Sequence, residues 1–355
     1  MKDVKKKVKT KKINILTEEK IGNKNFNLML LVTFFLGVLL IFSTYAWFQA
    51  SLDVDVKFMN LVVSKKNGLF ISLDGIEFGS SVEISRDVLI KDLKRTYPSH
   101  TSQWAKYGLT PISSNGILNK DSKNFEMYAA TNFDVDPITG KSYLSTKRTK
   151  ETKVSEYKDF IAFDIFLKNV TGSPVSDNLY IDEGTNVLIN DGYTEQIQGL
   201  INSIRIGLVK IGTVDRDSSI EEIQNMECNN NCEMIIYEPN STAHTDLSIE
   251  RAKKYGINLI DGQYYPTYAV TGEMKFFEIK DVITGNPVEN FKLQETRVDN
   301  NQSIFEIPDG ITKVRVYVWI EGQDIDSLET RSEGADVSVL INLMKDTAGY
   351  DAFNE

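Results

Sequence analysis

The clearest feature of the hydrophobic pattern is one long uncharged stretch followed by alternating segments. Residues 25–52 contain no charged side chain, and the centre of this stretch, Leu28–Phe42, is almost entirely apolar. Directly after it, apolar side chains occupy every second position, at Leu52, Val54, Val56 and Phe58. A period of two is typical of a strand with one buried face. The pattern therefore predicts an N-terminal apolar helix followed by a β-rich body.

Alternation is strongest in four segments of the second half of the chain. Each places an apolar stripe on one face: Ile161, Phe163, Ile165 and Leu167; Ile204, Ile206 and Leu208; Val314, Val316, Val318 and Ile320; Val337, Val339, Ile341 and Leu343. Strands with one apolar face must bury that face against a second layer. The sequence therefore predicts a mainly β fold, built as a two-sheet sandwich.

The remaining regions give weaker signals. Residues 76–155 are rich in serine, asparagine and lysine, and we expect long surface loops there with one or two short strands. Helical patterns are few, and they predict short helices within 194–204 and over Leu247–Tyr255.

Charge divides the chain into a basic start and an acidic body. Residues 1–25 hold nine lysines against three carboxylates, so with a net charge of -10 overall the rest of the chain carries -16. Lysines directly before an apolar span are retained on the cytoplasmic side of a membrane. An acidic body repels phosphate backbones, and we expect no nucleic-acid partner. The predicted organisation is a basic cytoplasmic tail or n-region over 1–25, a signal peptide or transmembrane anchor over 26–48, and an extracellular body over 49–355.

Length alone leaves two interpretations of the apolar segment open. Its core has 15 residues, or 21 if it continues to Phe48, whereas a spanning helix needs ~20 residues and a secretory apolar region ~7–15. Thr44 and Ala46 are the small residues that signal peptidases require, and we favour cleavage between Ala46 and Trp47. The aromatic residues Tyr45, Trp47 and Phe48 equally suit the interface of a retained helix. Either way the body is exported, to the cell surface or beyond.

The junction Ser43-Thr44-Tyr45-Ala46-Trp47-Phe48, after a basic n-region and a short apolar run, resembles the segments cut by the dedicated SipW-type signal peptidase. Proteins with such segments include the TasA/camelysin family of Gram-positive surface and biofilm-matrix proteins. The segment VYVWIEGQD, residues 316–324, is similar to the C-terminal strands of these relatives. The resemblance implies a jelly-roll-like β-sandwich with long loops, and self-association into fibres by strands that complete a neighbour's sheet. Leu52, Val54, Val56 and Phe58 would then form the donated strand.

Motifs for catalysis are absent from the sequence. There is no HExxH, no GxSxG, no CxxC and no glycine-rich phosphate loop. The two histidines, His100 and His244, are far apart in polar segments, and we expect exposed loop histidines. We therefore expect a protein that is not an enzyme. The stronger alternative is a membrane-anchored ligand-binding ectodomain. The weaker alternative is a metalloprotease, which only the camelysin resemblance suggests.

Two cysteines and two acidic clusters complete the candidate chemistry. Outside the cytoplasm, Cys228 and Cys232 are expected to form a local disulfide across a polar loop. Carboxylates that could hold Ca²⁺ occur at two places: Asp134 and Asp136, and then Glu321, Asp324 and Asp326. Neither completes an EF-hand loop, and most such acidic turns are simply solvated. We expect no cofactor, with Ca²⁺ as the one ion that these residues could hold.

Overall fold

The computed structural model describes residues 29, 55–63, 68–93, 97, 102–105, 108–119, 123, 125–135, 138, 142–149, 154–157, 159–172, 174–190, 195–228, 232–240, 243–254, 277–281, 303–322, 324, 326–327 and 336–346. The chain divides into two units, Met1–Ala46 and Trp47–Glu355. Only Met29 belongs to the described part of the first unit, and everything below concerns the second.

The described residues form seventeen strands. In chain order they are β1 (Asp55–Val63), β2 (Leu69–Ser72), β3 (Ser81–Ile84), β4 (Ser102–Ala105), β5 (Pro111–Leu118), β6 (Phe125–Val135), β7 (Ser142–Thr149), β8 (Val154–Tyr157), β9 (Phe160–Asn169), β10 (Asp177–Ile181), β11 (Asn186–Ile189), β12 (Ile204–Val214), β13 (Met234–Tyr237), β14 (Phe277–Asp281), β15 (Phe305–Ile307), β16 (Gly310–Glu321) and β17 (Asp336–Asp346). Helical elements are short: a π-helical turn (Val88–Asp92), α1 (Glu195–Asn202), α2 (Ile220–Gln224) and α3 (Asp246–Lys254).

The smaller sheet is organised around the last strand of the chain. Its order is β15–β10–β17–β1–β3, and β11 also pairs with β17. The pairing of β1 with β17 is parallel, whereas β10 and β11 run antiparallel to β17. The first and last of the described strands are therefore neighbours in one sheet.

The larger sheet is organised around β16 and β9. Its order is β14–β7–β6–β5–β16–β9–β4–β8, with β12 along β16, β13 on β12, and β2 on β9. The pairing of β16 with β9 runs from Gly310↔Asn169 to Trp319↔Phe160, and β12 follows most of the length of β16. Central strands with partners along both edges explain why β9 and β16 are buried almost throughout.

The main core joins the inward faces of the two sheets. All four alternating stripes predicted from the sequence are buried in one cluster, together with Met59, Leu61 and Val63 of β1 and with Leu179 and Ile181 of β10. Burial of apolar area is the dominant favourable contribution to folding, at ~25 cal/mol per Å². The predicted mainly β, jelly-roll-like two-sheet sandwich is confirmed in its class and in its two sheets.

A second apolar cluster covers the opposite face of the larger sheet. Tyr317 and Trp319 of β16 pack against Phe125 of β6, with ring centroids 4.8 Å and 6.0 Å apart. Ile223 of α2 and Met226 belong to the same cluster. The larger sheet is thus buried on both faces, whereas the pattern of β16 had predicted only one apolar face.

The expectation of long loops over 76–155 is wrong, because β3 to β8 lie there. Two of these strands, β6 and β7, pair with each other over eight positions, from Met127↔Thr149 to Val135↔Ser142. Their polar side chains conceal the alternation, and pairing rather than local propensity decides their conformation. The two predicted short helices are confirmed as α1 and α3, while α2 was missed.

Candidate functional site

The predicted export junction lies outside the described residues. This holds for Thr44, Ala46 and Trp47, and also for Leu52 and Val54 of the predicted assembly strand. Within the described part of the chain, no helix combines the length and the apolar character needed to cross a membrane. The predicted segment 26–48 falls outside that part, apart from Met29.

The remainder of the predicted assembly strand lies in β1, between two strands of its own chain. The pairing with β17 extends from Asp55 to Val63, and the pairing with β3 covers Met59–Val62. A bulge separates Val56, opposite Val337, from Phe58, opposite Ser338. The buried positions therefore change phase, from Val56 to Met59, Leu61 and Val63. The single regular face predicted from 52 to 58 does not continue through this bulge, because an extra residue shifts the alternation by one.

Cys228 and Cys232 form a disulfide, with Cα atoms 5.9 Å apart. The bond closes a short loop between α2 and β13, and Cys232 Sγ contacts the carbonyl oxygen of Ile211 at 3.7 Å. Both cysteines pack at the edge of the cluster on the outer face of the larger sheet. The disulfide therefore fastens the entry to β13 against β12.

The second acidic cluster is buried and paired with basic side chains. Glu321 and Asp324 have no exposed surface, and Asp326 is almost fully buried. The guanidinium of Arg205 forms an ion pair with Asp324, and its Nη2 lies 3.4 Å from Glu238 Oε1. The sequence had led us to expect a solvated acidic turn here. That expectation is wrong, because the chain folds the turn inward onto β12.

His244 belongs to the same buried group. Its Nδ1 lies 2.6 Å from Asp326 Oδ2, and its side chain is only 5% exposed. Asp326 Oδ1 also accepts a hydrogen bond from the backbone N–H of Thr245 at 3.0 Å. The expectation of an exposed loop histidine is therefore wrong for His244, whereas His100 lies outside the described residues.

Burial and mutual charge shift the titration of this group. Burial raises the pKa of Asp324 well above its ordinary value, and the charges of Asp326 and Glu238 act in the same direction, against the opposing effect of Arg205. Burial lowers the pKa of His244, but its hydrogen bond with Asp326 and the nearby carboxylates outweigh burial, so the net shift is upward. A proton is thus held more tightly inside the cluster than in water.

The carboxylate of Glu321 is hydrogen-bonded within the protein. Glu321 Oε2 accepts hydrogen bonds from Trp319 Nε1 at 3.1 Å and from the backbone N–H of Ser114 at 3.4 Å. Among the described residues, no group of three or more acidic, histidine or cysteine side chains is placed to hold a metal ion. Asp134 lies in β6 opposite Tyr143, and Asp136 is outside the described residues. The proposed Ca²⁺ sites therefore stay a prediction.

A further charged group lies on the outer face of the larger sheet. Arg315 Nε donates to Asp164 Oδ1 at 2.7 Å, and Lys313 Nζ lies 3.5 Å from Asp164 Oδ2. Lys313 Nζ also donates to the carbonyl oxygen of Gln224 at 2.8 Å and to Tyr97 Oη at 3.0 Å. Burial lowers the pKa of Lys313 and raises that of Tyr97. This group fastens the end of α2 to the sheet, and sequence patterns did not predict it.

No family model, no curated protein and no solved structure matches this chain.

Proposed function

We propose that the chain is an exported, non-enzymatic cell-surface or extracellular-matrix protein, acting as a structural or adhesive subunit. The observation that carries this proposal is the uncharged stretch 25–52, which follows nine lysines and contains Thr44-Tyr45-Ala46. That order of basic, apolar and small residues is typical of an export signal. The resemblance of the junction to SipW-type segments of the TasA/camelysin family extends the proposal to a biofilm-matrix role.

Features of the body support the proposal. A disulfide such as Cys228–Cys232 persists in oxidising compartments and is rare in the cytosol. Arg205 forms a buried ion pair with Asp324, and Asp164 forms another with Arg315. Charged side chains that are paired in this way favour a scaffold over a reactive cleft. The acidic net charge of the body and its sandwich fold are compatible with adhesion or packing against other copies.

The position of β1 constrains how such subunits could associate. Because β1 pairs with β17 and β3 of its own chain, donating it to a neighbour requires withdrawal from the sheet. Residues 47–54 precede β1, and their addition to a neighbour's sheet would leave the pairing of β1 in place. We therefore expect assembly either by exchange of β1 or by addition of the segment before it.

The first test is the mass of the exported protein, produced in a cell that carries a SipW-type peptidase. Cleavage at the junction gives a product that begins at Trp47. Ala46→Tyr should abolish this product, because a bulky side chain is not accepted next to the cut. Tyr45→Phe, one position away, should be cleaved like the wild type and serves as the control. A wild-type product that retains residues 1–46 in the membrane fraction would instead favour the anchored ectodomain.

The second test concerns assembly. A form of the exported protein that lacks residues 47–54 spares every paired residue of β1, so its fold should be retained. We expect fibres or large particles in the wild type, seen by electron microscopy and sedimentation, and monomers after the deletion. Unchanged assembly in the deleted form would exclude addition of 47–54 and leave exchange of β1. Wild-type protein that stays monomeric at high concentration would remove the fibre proposal altogether.

The anchored alternative rests on the aromatic side chains at Tyr45, Trp47 and Phe48, which suit a membrane interface. In that case the acidic body binds a ligand at the surface while the lysine-rich tail stays at the cytoplasmic leaflet. The same mass measurement separates the two proposals, because only the anchored protein keeps its first 46 residues.

A further inference from the structure

Three polar residues continue the apolar stripes of three strands. In β17 the buried positions Val339, Ile341 and Leu343 are followed, two residues on, by Lys345. In β9 the stripe ends at Asn169, two residues after Leu167, and β10 begins with Asp177, two residues before Leu179. Each polar residue is therefore in phase with the core, and all three are nearly inaccessible to solvent, with Lys345 at 4% exposure.

The three side chains meet at one end of the sandwich. Lys345 Nζ lies 2.7 Å from Asn169 Oδ1 and 2.6 Å from Asp177 Oδ2. Asp177 Oδ2 also accepts a hydrogen bond from Asn169 Nδ2 at 3.2 Å. One carboxylate oxygen thus contacts both the lysine amine and the nitrogen of the asparagine amide.

The surroundings hold the asparagine amide in a fixed orientation. Asn169 Nδ2 donates to the carbonyl oxygens of Ile307 at 2.9 Å and Pro308 at 3.3 Å. Leu179 lies opposite Lys345 in the pairing of β10 with β17, and it is buried. An amine held against a carbonyl in a dry, fixed site reacts far faster than the same groups in solution, because folding has already fixed their relative orientation.

We propose that Lys345 and Asn169 form an intramolecular isopeptide bond, with Asp177 transferring the protons. The proposal adds a covalent modification site and does not depend on export or on assembly. It follows from the placement of an amine, an amide carbonyl and a carboxylate within hydrogen-bond distance of one another in the core.

The reaction needs no oxidant and no other reactant. The Lys345 ammonium gives a proton to Asp177, and the lone pair of the neutral Nζ attacks Cγ of Asn169. The carbonyl electrons move onto Oδ1 and return as the Cγ–Nδ2 bond breaks, with the bonding pair leaving on Nδ2. Both protons that Nζ loses pass through Asp177 to Nδ2, which departs as ammonium. Asp177 ends as the carboxylate with which it began.

A second buried lysine, Lys313, illustrates why the asparagine matters. Its Nζ lies beside Asp164 and also contacts a phenol and backbone carbonyl oxygens. Within the described part of the chain, these contacts include a carboxylate but no side-chain amide to attack. We expect no covalent bond at Lys313.

The bond would join the two sheets. Lys345 belongs to β17 of the smaller sheet and Asn169 to β9 of the larger sheet, and 176 positions separate them in sequence. Such a link closes most of the body of the protein into one covalent ring.

The test is the mass of the protein after its disulfide has been reduced, measured on the full-length chain or on the exported product. We expect a mass about 17 Da below the value calculated from the sequence of whichever form is measured, which is the loss of one ammonia. After trypsin, a single branched peptide should contain 169–205 joined to 332–355, without cleavage after Lys345. Lys345→Arg keeps the positive charge beside Asp177 but should restore the full mass, as should Asp177→Asn.

The neighbouring substitution Lys168→Arg keeps the tryptic site and should leave the loss of ammonia unchanged. A folded wild-type chain at its full sequence mass, with separate peptides 169–205 and 332–345, would overturn the proposal without any variant. A branched peptide that still forms in Asp177→Asn would show that the bond exists but that Asp177 does not transfer the protons.

Discussion

Replacing Arg205 by methionine tests how much the fold depends on one buried cation. The side chain is fully buried on β12, with Asp324 and Glu238 as its carboxylate partners. Methionine fills much of the same volume but supplies no charge. Removing one partner of a buried ion pair typically costs about 3–5 kcal/mol, because the remaining charge is left desolvated. We expect Arg205→Met to lower the free energy of unfolding by that amount.

The loss should also depend on pH. The pKa of Asp324 is already raised by burial, and loss of the opposing guanidinium raises it further. A carboxyl whose pKa is raised in the folded state favours folding at low pH, and this contribution is lost as pH rises through the folded value. The variant should therefore be less impaired at pH ~5 than at pH ~8.

Urea denaturation followed by tryptophan fluorescence measures this difference, since Trp319 is buried in the larger sheet. The matched control is Lys210→Met on the same strand. It removes exposed bonds to the Glu233 carboxylate and to the carbonyl oxygen of Glu306, and it should cost ~1 kcal/mol or less. Equal losses for the two variants, or a loss at Arg205 that does not change with pH, would refute the assignment of Arg205 as the essential counter-charge.

Three smaller changes test other parts of the structure. The pKa of His244 lies above its ordinary 6.5, so its contribution to stability is complete below that value and is lost as pH rises through the folded pKa. His244→Gln should flatten the pH dependence of unfolding above pH ~6.5, and an unchanged slope would contradict this role. Converting Cys228 and Cys232 to serine should lower stability by ~2 kcal/mol, as expected for a short loop, and reduction of the wild type should give the same loss. Ser219→Ala removes the capping box that Ser219 shares with Glu222 and should cost ~1 kcal/mol by thermal unfolding, whereas a larger loss would indicate a role beyond the cap.

The sequence was sufficient to predict the strands whose inward faces are uniformly apolar. Ile161–Leu167 and Val314–Ile320 carry a large apolar residue at every second position, and the core uses both stripes as expected. It was insufficient for β6 and β7, where asparagine, threonine and lysine interrupt the pattern and pairing between distant parts of the chain decides the structure. A bulge is equally hard to foresee, since one extra residue after Val56 shifts the buried phase without altering composition.

The buried polar groups show the same limit. Arg205 and Asp324 are 119 positions apart, and nothing local to either residue identifies its partner. One sequence signal was nevertheless present: a polar residue in phase with an apolar stripe. Lys345 after Leu343 and Asn169 after Leu167 both carry this signal, which identifies buried polar residues although it does not show that they meet.

The parallel pairing of β1 with β17 has a consequence for the order of folding. The smaller sheet needs β17 for its contacts with β1, β10 and β11, and β17 ends at Asp346. A chain that emerges from its N-terminus cannot complete this sheet until the residues up to Asp346 have been delivered. Pairing between such distant segments is slow, because a long loop must close before the contacts form. Until that moment the edge of β1 that pairs with β17 remains open to other chains, so a chaperone would be most valuable before β17 is delivered.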